Sequence, residues 1–277
     1  MMKREQYAPH PILSNIVKSL WLIERHFQPP NNTHEILPDS SIELVFSFGA
    51  SFQLDTGSVV RDLPQHFVVG LIRKPFLLRA DGLTKTVGVR FWAWGFFQLF
   101  GLTIDQNRDG VQELSVTLRQ LYDRLAERML ANDAAGAIER LHAFLIEQAL
   151  HTQFTDDEVQ TAARLLYAQH GSVTIADVAH ACHLSRRQLE RQFDKVVGVS
   201  PKDLAQNIRF ERVRDRLWHE PGADIGALAY EYGYADQAHC IREFKRFSNR
   251  TPGQFAAEMM AAHALLSGAD VAFIQDC

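Results

Sequence analysis

A chain of 277 residues with net charge −4 and 46% hydrophobic residues is long enough for about two domains with packed cores. Its three cysteines, odd in number and sparse, argue against a disulfide framework and for a reducing compartment. Basic residues near the start precede no long apolar run, and no apolar segment reaches membrane-spanning length. The expectation is a cytoplasmic protein that makes no membrane contact.

The first hundred residues carry short apolar runs at 19–25, 42–48, 67–72, 76–79 and 86–91. The run from Ile42 to Phe48 alternates as a half-buried strand does. Turn formers separate the runs: PPNN at 29–32, LPDS at 37–40, DTG at 55–57 and DG at 81–82. Such punctuation predicts an antiparallel sheet curled into a barrel or a sandwich. Arg73 and Arg90 end or interrupt apolar strands. On an inner face each would meet an anionic or polar ligand, and on an outer face solvent; a one-residue register shift decides. Trp21 joins them as a candidate ligand contact, with core packing as the alternative.

After Phe91 the pattern turns helical. Residues 94–102 read as a short packed helix, followed by a helical region from Leu114 to about His151. Leu114, Leu118, Leu121 and Leu125 form one stripe, and Ile138, Leu141, Leu145 and Ala149 another, broken at Asn132-Asp133 and Gly136. These stripes pack on their own domain or, alternatively, form the surface of a homodimer. Thr155 and Glu158 have capping-box spacing and mark the start of the next helical domain.

That domain contains a repeat. Residues 175–201 (IADVAHACHLSRRQLERQFDKVVGVSP) return as 225–252 (IGALAYEYGYADQAHCIREFKRFSNRTP), with one insertion absorbed in the turn. Each copy reads as helix, turn, helix. Ala179 and Ala229 stand where two helices cross closely, and Ser185 and Asp236 cap the second helices. Leu189 and Phe193 face inward in the first copy, Cys240 and Phe244 in the second. Arg186, Arg187, Glu190, Arg191 and Lys195 are left outward on the first, and Gln237, Ala238, His239, Arg242 and Arg246 on the second. Exposed helices of this composition suit the DNA major groove, with Lys202 at the start of the connecting helix reaching a phosphate. That connecting helix, from Pro201 to Trp218, is roughly 17 residues and about 26 Å long. Between Ser185 and Arg216, nine basic residues face five acidic ones, so this segment is positive within an acidic chain.

The repeat resembles the AraC/XylS family of bacterial transcription regulators. The resemblance rests on GVSP (Gly198 to Pro201), Arg209-Phe210-x-x-Val213, YGYADQAHCIREFKRF (Tyr232 to Phe247) and Arg250-Thr251-Pro252, over the last third of the chain. Cys240 stands where an aromatic is usual, and Asn249 where the family often has Gly. ILPDS (Ile36 to Ser40) and VGVRF (Val87 to Phe91) are similar to the sensory domains of one subgroup. The resemblance implies an α+β chain: a β-rich, cupin-like sensory domain at 1–110, a helical connection at 111–152, a double helix-turn-helix domain at 153–260 and a tail at 261–277. It implies double-stranded DNA as partner, RNA polymerase if the outcome is activation, and a small-molecule effector. One rival reading is a cupin-type metal-dependent enzyme fused to a DNA-binding domain; another is a regulator switched by a protein partner without a small ligand. A cupin metalloenzyme would show two histidines one residue apart plus a downstream acid and histidine, whereas His10, His26, His34 and His66 are scattered. His180, Cys182 and His183 lack a second ligand pair at zinc spacing. With neither a phosphate loop nor a Gly-x-Ser-x-Gly elbow, no catalytic residue, metal or cofactor is expected.

Overall fold

The computed structural model describes residues 2–104, 110–113, 116–152 and 157–266. Ten strands form two sheets. They are β1 (Met2–Tyr7), β2 (Val17–Phe27), β3 (Thr33–Ile36), β4 (Ile42–Gly49), β5 (Gln53–Asp55), β6 (Val60–Asp62), β7 (His66–Val69), β8 (Phe76–Arg79), β9 (Gly82–Phe91) and β10 (Val111–Glu113). The larger sheet runs β1-β2-β9-β4-β7-β10 and the smaller β3-β8-β5-β6, with every paired strand antiparallel. Of the two expected forms, the sandwich is found. Neither sheet closes on itself among the described residues.

Alternation along the large sheet decides what each face covers. Leu20, Leu22, Leu44, Phe46, Val87 and Val89 turn toward helices, whereas Trp21, Phe27 and Val45 turn toward the small sheet. β4 is therefore buried on both faces, not half-buried as its alternation suggested. The covering helices are α1 (Gly95–Phe100), α2 (Val116–Leu130) and α3 (Ala134–His151). Leu118, Leu121, Leu125, Ile138, Leu141, Leu145 and Ala149 lie in one core with the large sheet. Both stripes are thus used within the chain; Leu114 lies outside the described residues.

The C-terminal part is all helical: α4 (Glu158–Ala168), α5 (Ile175–Ala181), α6 (Arg186–Val196), α7 (Pro201–His219), α8 (Ile225–Glu231), α9 (Gln237–Ser248) and α10 (Pro252–Leu266). The N-cap of α4 is Asp157, whose carboxylate accepts from the Gln160 N–H at 2.7 Å. The expected Thr155 cap lies outside the described residues, as do 267–277. Helix α10 continues past residue 260, where the tail was expected to begin.

Helix α7 is the structural axis of this half. Pro201 at its first position and the reciprocal Ser200–Asp203 capping box start it. Leu204 and Ile208 enter the core shared with α5, α6 and the sandwich, while Phe210, Val213 and Leu217 enter the core of α8, α9 and α10. One helix thereby fixes two helix-turn-helix units relative to each other.

Candidate nucleic-acid interface and the cavity between the sheets

Each unit is built as its sequence requires. In the first, Ala179 is buried, His183 turns the chain at φ +55°, and Ser185 with Gln188 closes a capping box. In the second, Ala229 is buried, Gly233 turns at φ +72°, and Asp236 accepts from the His239 N–H at 2.6 Å. A Cβ on Gly233 would lie 2.5 Å from that of Ser172, so close approach as well as backbone geometry demands glycine. Asn249 caps α9 at φ +60°, the left-handed form expected where glycine is common.

Leu189 and Phe193 of α6, and Cys240 and Phe244 of α9, are buried as expected. Arg187, Arg191, Lys195 and Lys202 are exposed on the first unit, and Gln237, Ala238 and Arg242 on the second. Arg186 is exposed but bonded to Glu190 at 2.9 Å, one turn along α6. His239 is turned toward its own unit: its ring meets Tyr234 edge-on, and its Nε2 is 3.8 Å from Glu243. Arg246 donates to Gln206 of α7 at 3.0 Å and lies over the Phe247 ring. The positive charge counted along α7 is partly used inside the protein. Arg209 bonds buried Glu243, and Arg214 is buried against Asp215.

The second feature is a cavity of about 130 Å³ between the two sheets. Its walls are mostly apolar, with Ile23, Phe27, Val45, Phe52, Phe67 and Phe76 among them. Trp21 lines it as expected, and its indole ring fills the space a side chain at Gly88 would occupy. Arg90 also lines it, paired with Glu43 at 2.7 Å and with Asp39 at 3.7 Å. Arg73 does not belong to this lining; its exposed guanidinium bonds Asp203 of α7 at 2.8 Å. Arg25 and His34, which sequence reading did not single out as ligand contacts, line the cavity too.

The cavity wall continues into the helical half through Leu37 to Ser41. Leu37 lines the cavity, yet its side chain packs in the core of Phe210, Val213 and Leu217. The Pro38 carbonyl accepts from Arg214 at 3.2 Å and the Asp39 carbonyl from Asn207 at 2.9 Å. The Ser40 N–H donates to Glu211 at 3.1 Å, and the Ser40 carbonyl accepts from the Tyr167 hydroxyl. Lys18 reaches the Ser41 hydroxyl at 2.9 Å, with its ammonium over the rings of Trp92 and Tyr167. These charges are arranged in pairs, and their acidities follow from that. Burial pushes the Asp39 carboxyl up to about 6, opposed by Arg90 and reinforced by Glu211 and Glu43. Burial would raise Glu211 too, but Lys18, Arg214 and the Ser40 bond hold it down at about 2. Burial lowers the Lys18 pKa, with Glu211 the first charge opposing the shift.

Two exposed helices fixed on one buried helix form a double helix-turn-helix unit, beside a cavity in a sandwich. Among known families, a helix-turn-helix domain matches residues 178–258, and a domain of unknown function (DUF6597) matches residues 5–113. A putative AraC-like transcription regulator of Streptomyces lividans is 29% identical over 151 residues, covering 52% of this chain and 48% of its own. The transcriptional activator RhaS of Escherichia coli is 26% identical over 151 residues, covering 53% and 54%. Among solved structures, ToxT of Vibrio cholerae aligns over 93% of this chain and 98% of its own at 13% identity and a TM-score of 0.47. The chain spans about half the length of the curated relatives it matches. Its helix-turn-helix part is of the type found in AraC-like transcription regulators.

Proposed function

We propose that the chain is a sequence-specific DNA-binding transcription regulator whose affinity for its operator is set by a small molecule held between the two sheets. The observation that carries this reading is the mounting of α6 and α9 on the single buried helix α7. Two heads carried on one helix of 19 residues, about 28 Å at 1.5 Å per residue, are suited to successive major grooves on one face of the duplex. Arg187, Arg191, Gln237 and Arg242 are the proposed base readers, and Lys195 and Lys202 the proposed phosphate contacts. Arg186 and Glu190 engage together as a bonded pair, and His239, Arg246 and Ala238 take positioning roles. If the outcome is activation, RNA polymerase is a further partner. A cytoplasmic location belongs to this reading; among the described residues no helix is long and apolar enough to cross a membrane.

Effector control is supported by Leu37, which is at once cavity wall and part of the α7–α9 core. A ligand that moves the 37–41 segment changes how α7 is held, and shifts the reading heads by its differential affinity for the two arrangements. Among the described residues, no group of three or more His, Cys, Asp or Glu is placed to hold a metal ion. Selection of bound duplexes from a random DNA pool tests the proposal. Enrichment of a site with two half-elements about 10 base pairs apart is expected; failure to enrich any sequence would overturn it.

A further inference from the structure

The polar groups left unmatched in the cavity specify the chemistry of its occupant. Arg25 lies on β2 opposite Thr84 of β9, its guanidinium 4.3 Å from the centre of the Phe27 ring. Its one hydrogen bond among the described residues goes to the Thr33 carbonyl at 3.2 Å, and no carboxylate lies within ion-pair distance of it. The Nε2 of His34 and the Nε1 of Trp21 are both shut off from solvent and have no hydrogen-bond partner. Burial and then the Arg25 charge hold the His34 imidazole neutral, near pKa 4, so its Nε2 can carry a proton and donate. Trp21 and Arg25 are donors only, and the Trp21 Nε1 meets no acceptor among the described residues. An unmatched buried donor is costly, about 1–3 kcal/mol each, so a partner that accepts is favoured over one that donates.

The acidic groups of the lining lie elsewhere. Glu43 and Asp39 are already matched by Arg90, which stands six residues along β9 from Thr84, about 20 Å at roughly 3.3 Å per residue. An anion is therefore attracted at the Arg25–His34 end and meets no unmatched carboxylate there. Size narrows the choice further, because an engineered apolar cavity of about 150 Å³ accommodates benzene. We infer that the cavity binds a small monocarboxylate with an apolar body about the size of one ring, its carboxylate on Arg25 and His34. A planar guanidinium suits a carboxylate's two oxygens, and the aromatic walls suit the body. This rests on the reading of the cavity as the effector site and adds the ligand class to it.

Calorimetric titration of the full-length chain with phenylacetate, phenylacetamide and phenethylamine tests the inference, since the three share one body and differ in charge. Phenylacetate is expected to bind at least tenfold more tightly than the amide, with no binding by the amine. Arg25→Gln should weaken phenylacetate at least tenfold and bring its preference over the amide close to parity. His34→Gln, which retains a donor, should weaken phenylacetate less than Arg25→Gln, and this holds the test open if the Arg25 variant fails to fold. Equal binding of acid and amide, preference for the amine, or no binding by any of the three would overturn the ligand class. Failure of the regulator reading is seen separately, as loss of operator selection by the ligand-free protein.

Discussion

Glu211→Gln removes one charge from the contact between the sandwich and α7 while keeping its shape. Glu211 accepts from Ser40 and is the first charge that supports Lys18 against burial. Removing one member of a buried pair costs about 3–5 kcal/mol, because the other is left desolvated. Here both side chains are only part-buried and Asp39 remains near Lys18, so the expected loss is about 2–3 kcal/mol. For a chain of this size that is roughly 5–10 °C in melting temperature. Lys18→Met alone should destabilise as well, by removing the charge that most holds the Glu211 carboxyl down. The double variant should recover much of the sum, because both charges leave together. Urea midpoints and melting curves of the four proteins form the cycle. Unchanged midpoints for Glu211→Gln, or a double variant as unstable as the two singles added, would refute the view that this pair holds the sandwich to α7.

Arg187→Ala or Arg191→Ala should cost about 1–3 kcal/mol on the selected operator and relax preference at one base, while Lys202→Ala should weaken all duplexes alike and reduce the salt slope by about 0.9. Affinity titrations against operator and scrambled duplex at several salt concentrations separate the two behaviours. Gly233→Ala should destabilise the second unit by at least about 1–2 kcal/mol, from its left-handed backbone and the Ser172 contact, read from the urea midpoint. The pH profile should expose two opposed groups. Asp39, raised to about 6, contributes stability that is present below its ordinary value of 3.8 and lost as pH rises through 6. His34, lowered to about 4, contributes stability that is present above 6.5 and lost as pH falls through 4. Asp39→Asn removes the opposing slope, so melting temperature should climb between pH 4 and 6.5, and adding His34→Gln should reduce that climb to what lowered groups such as His142 and Asp55 supply; an equal climb in both variants would contradict the burial of His34.

Local signals determined the helical half of this protein from its sequence. Ser185, Asp236, His183 and Gly233 act on backbone within a few residues of themselves, and a 3.6-residue apolar period assigns Leu189, Phe193 and Phe244 to the core without reference to anything distant. The strands at 42–48, 76–79 and 86–91 were legible for the same reason, but β1, β3, β5, β6 and β10 are short or polar and become strands only by pairing with a neighbour. Tertiary structure alone decided what the arginines do. Arg73, Arg90, Arg209 and Arg214 look alike in the sequence, yet one bonds the surface of α7, one pairs with carboxylates in the cavity wall and two are spent inside the helical half. Register set Arg25 and Trp21 on the cavity face of β2, and a one-residue slip would have turned both toward the helices. The meeting of Ser40 with Glu211, 171 residues apart, has no local signature. Charges are matched by whatever folding brings within reach, and that distance is fixed by the packing of both halves together.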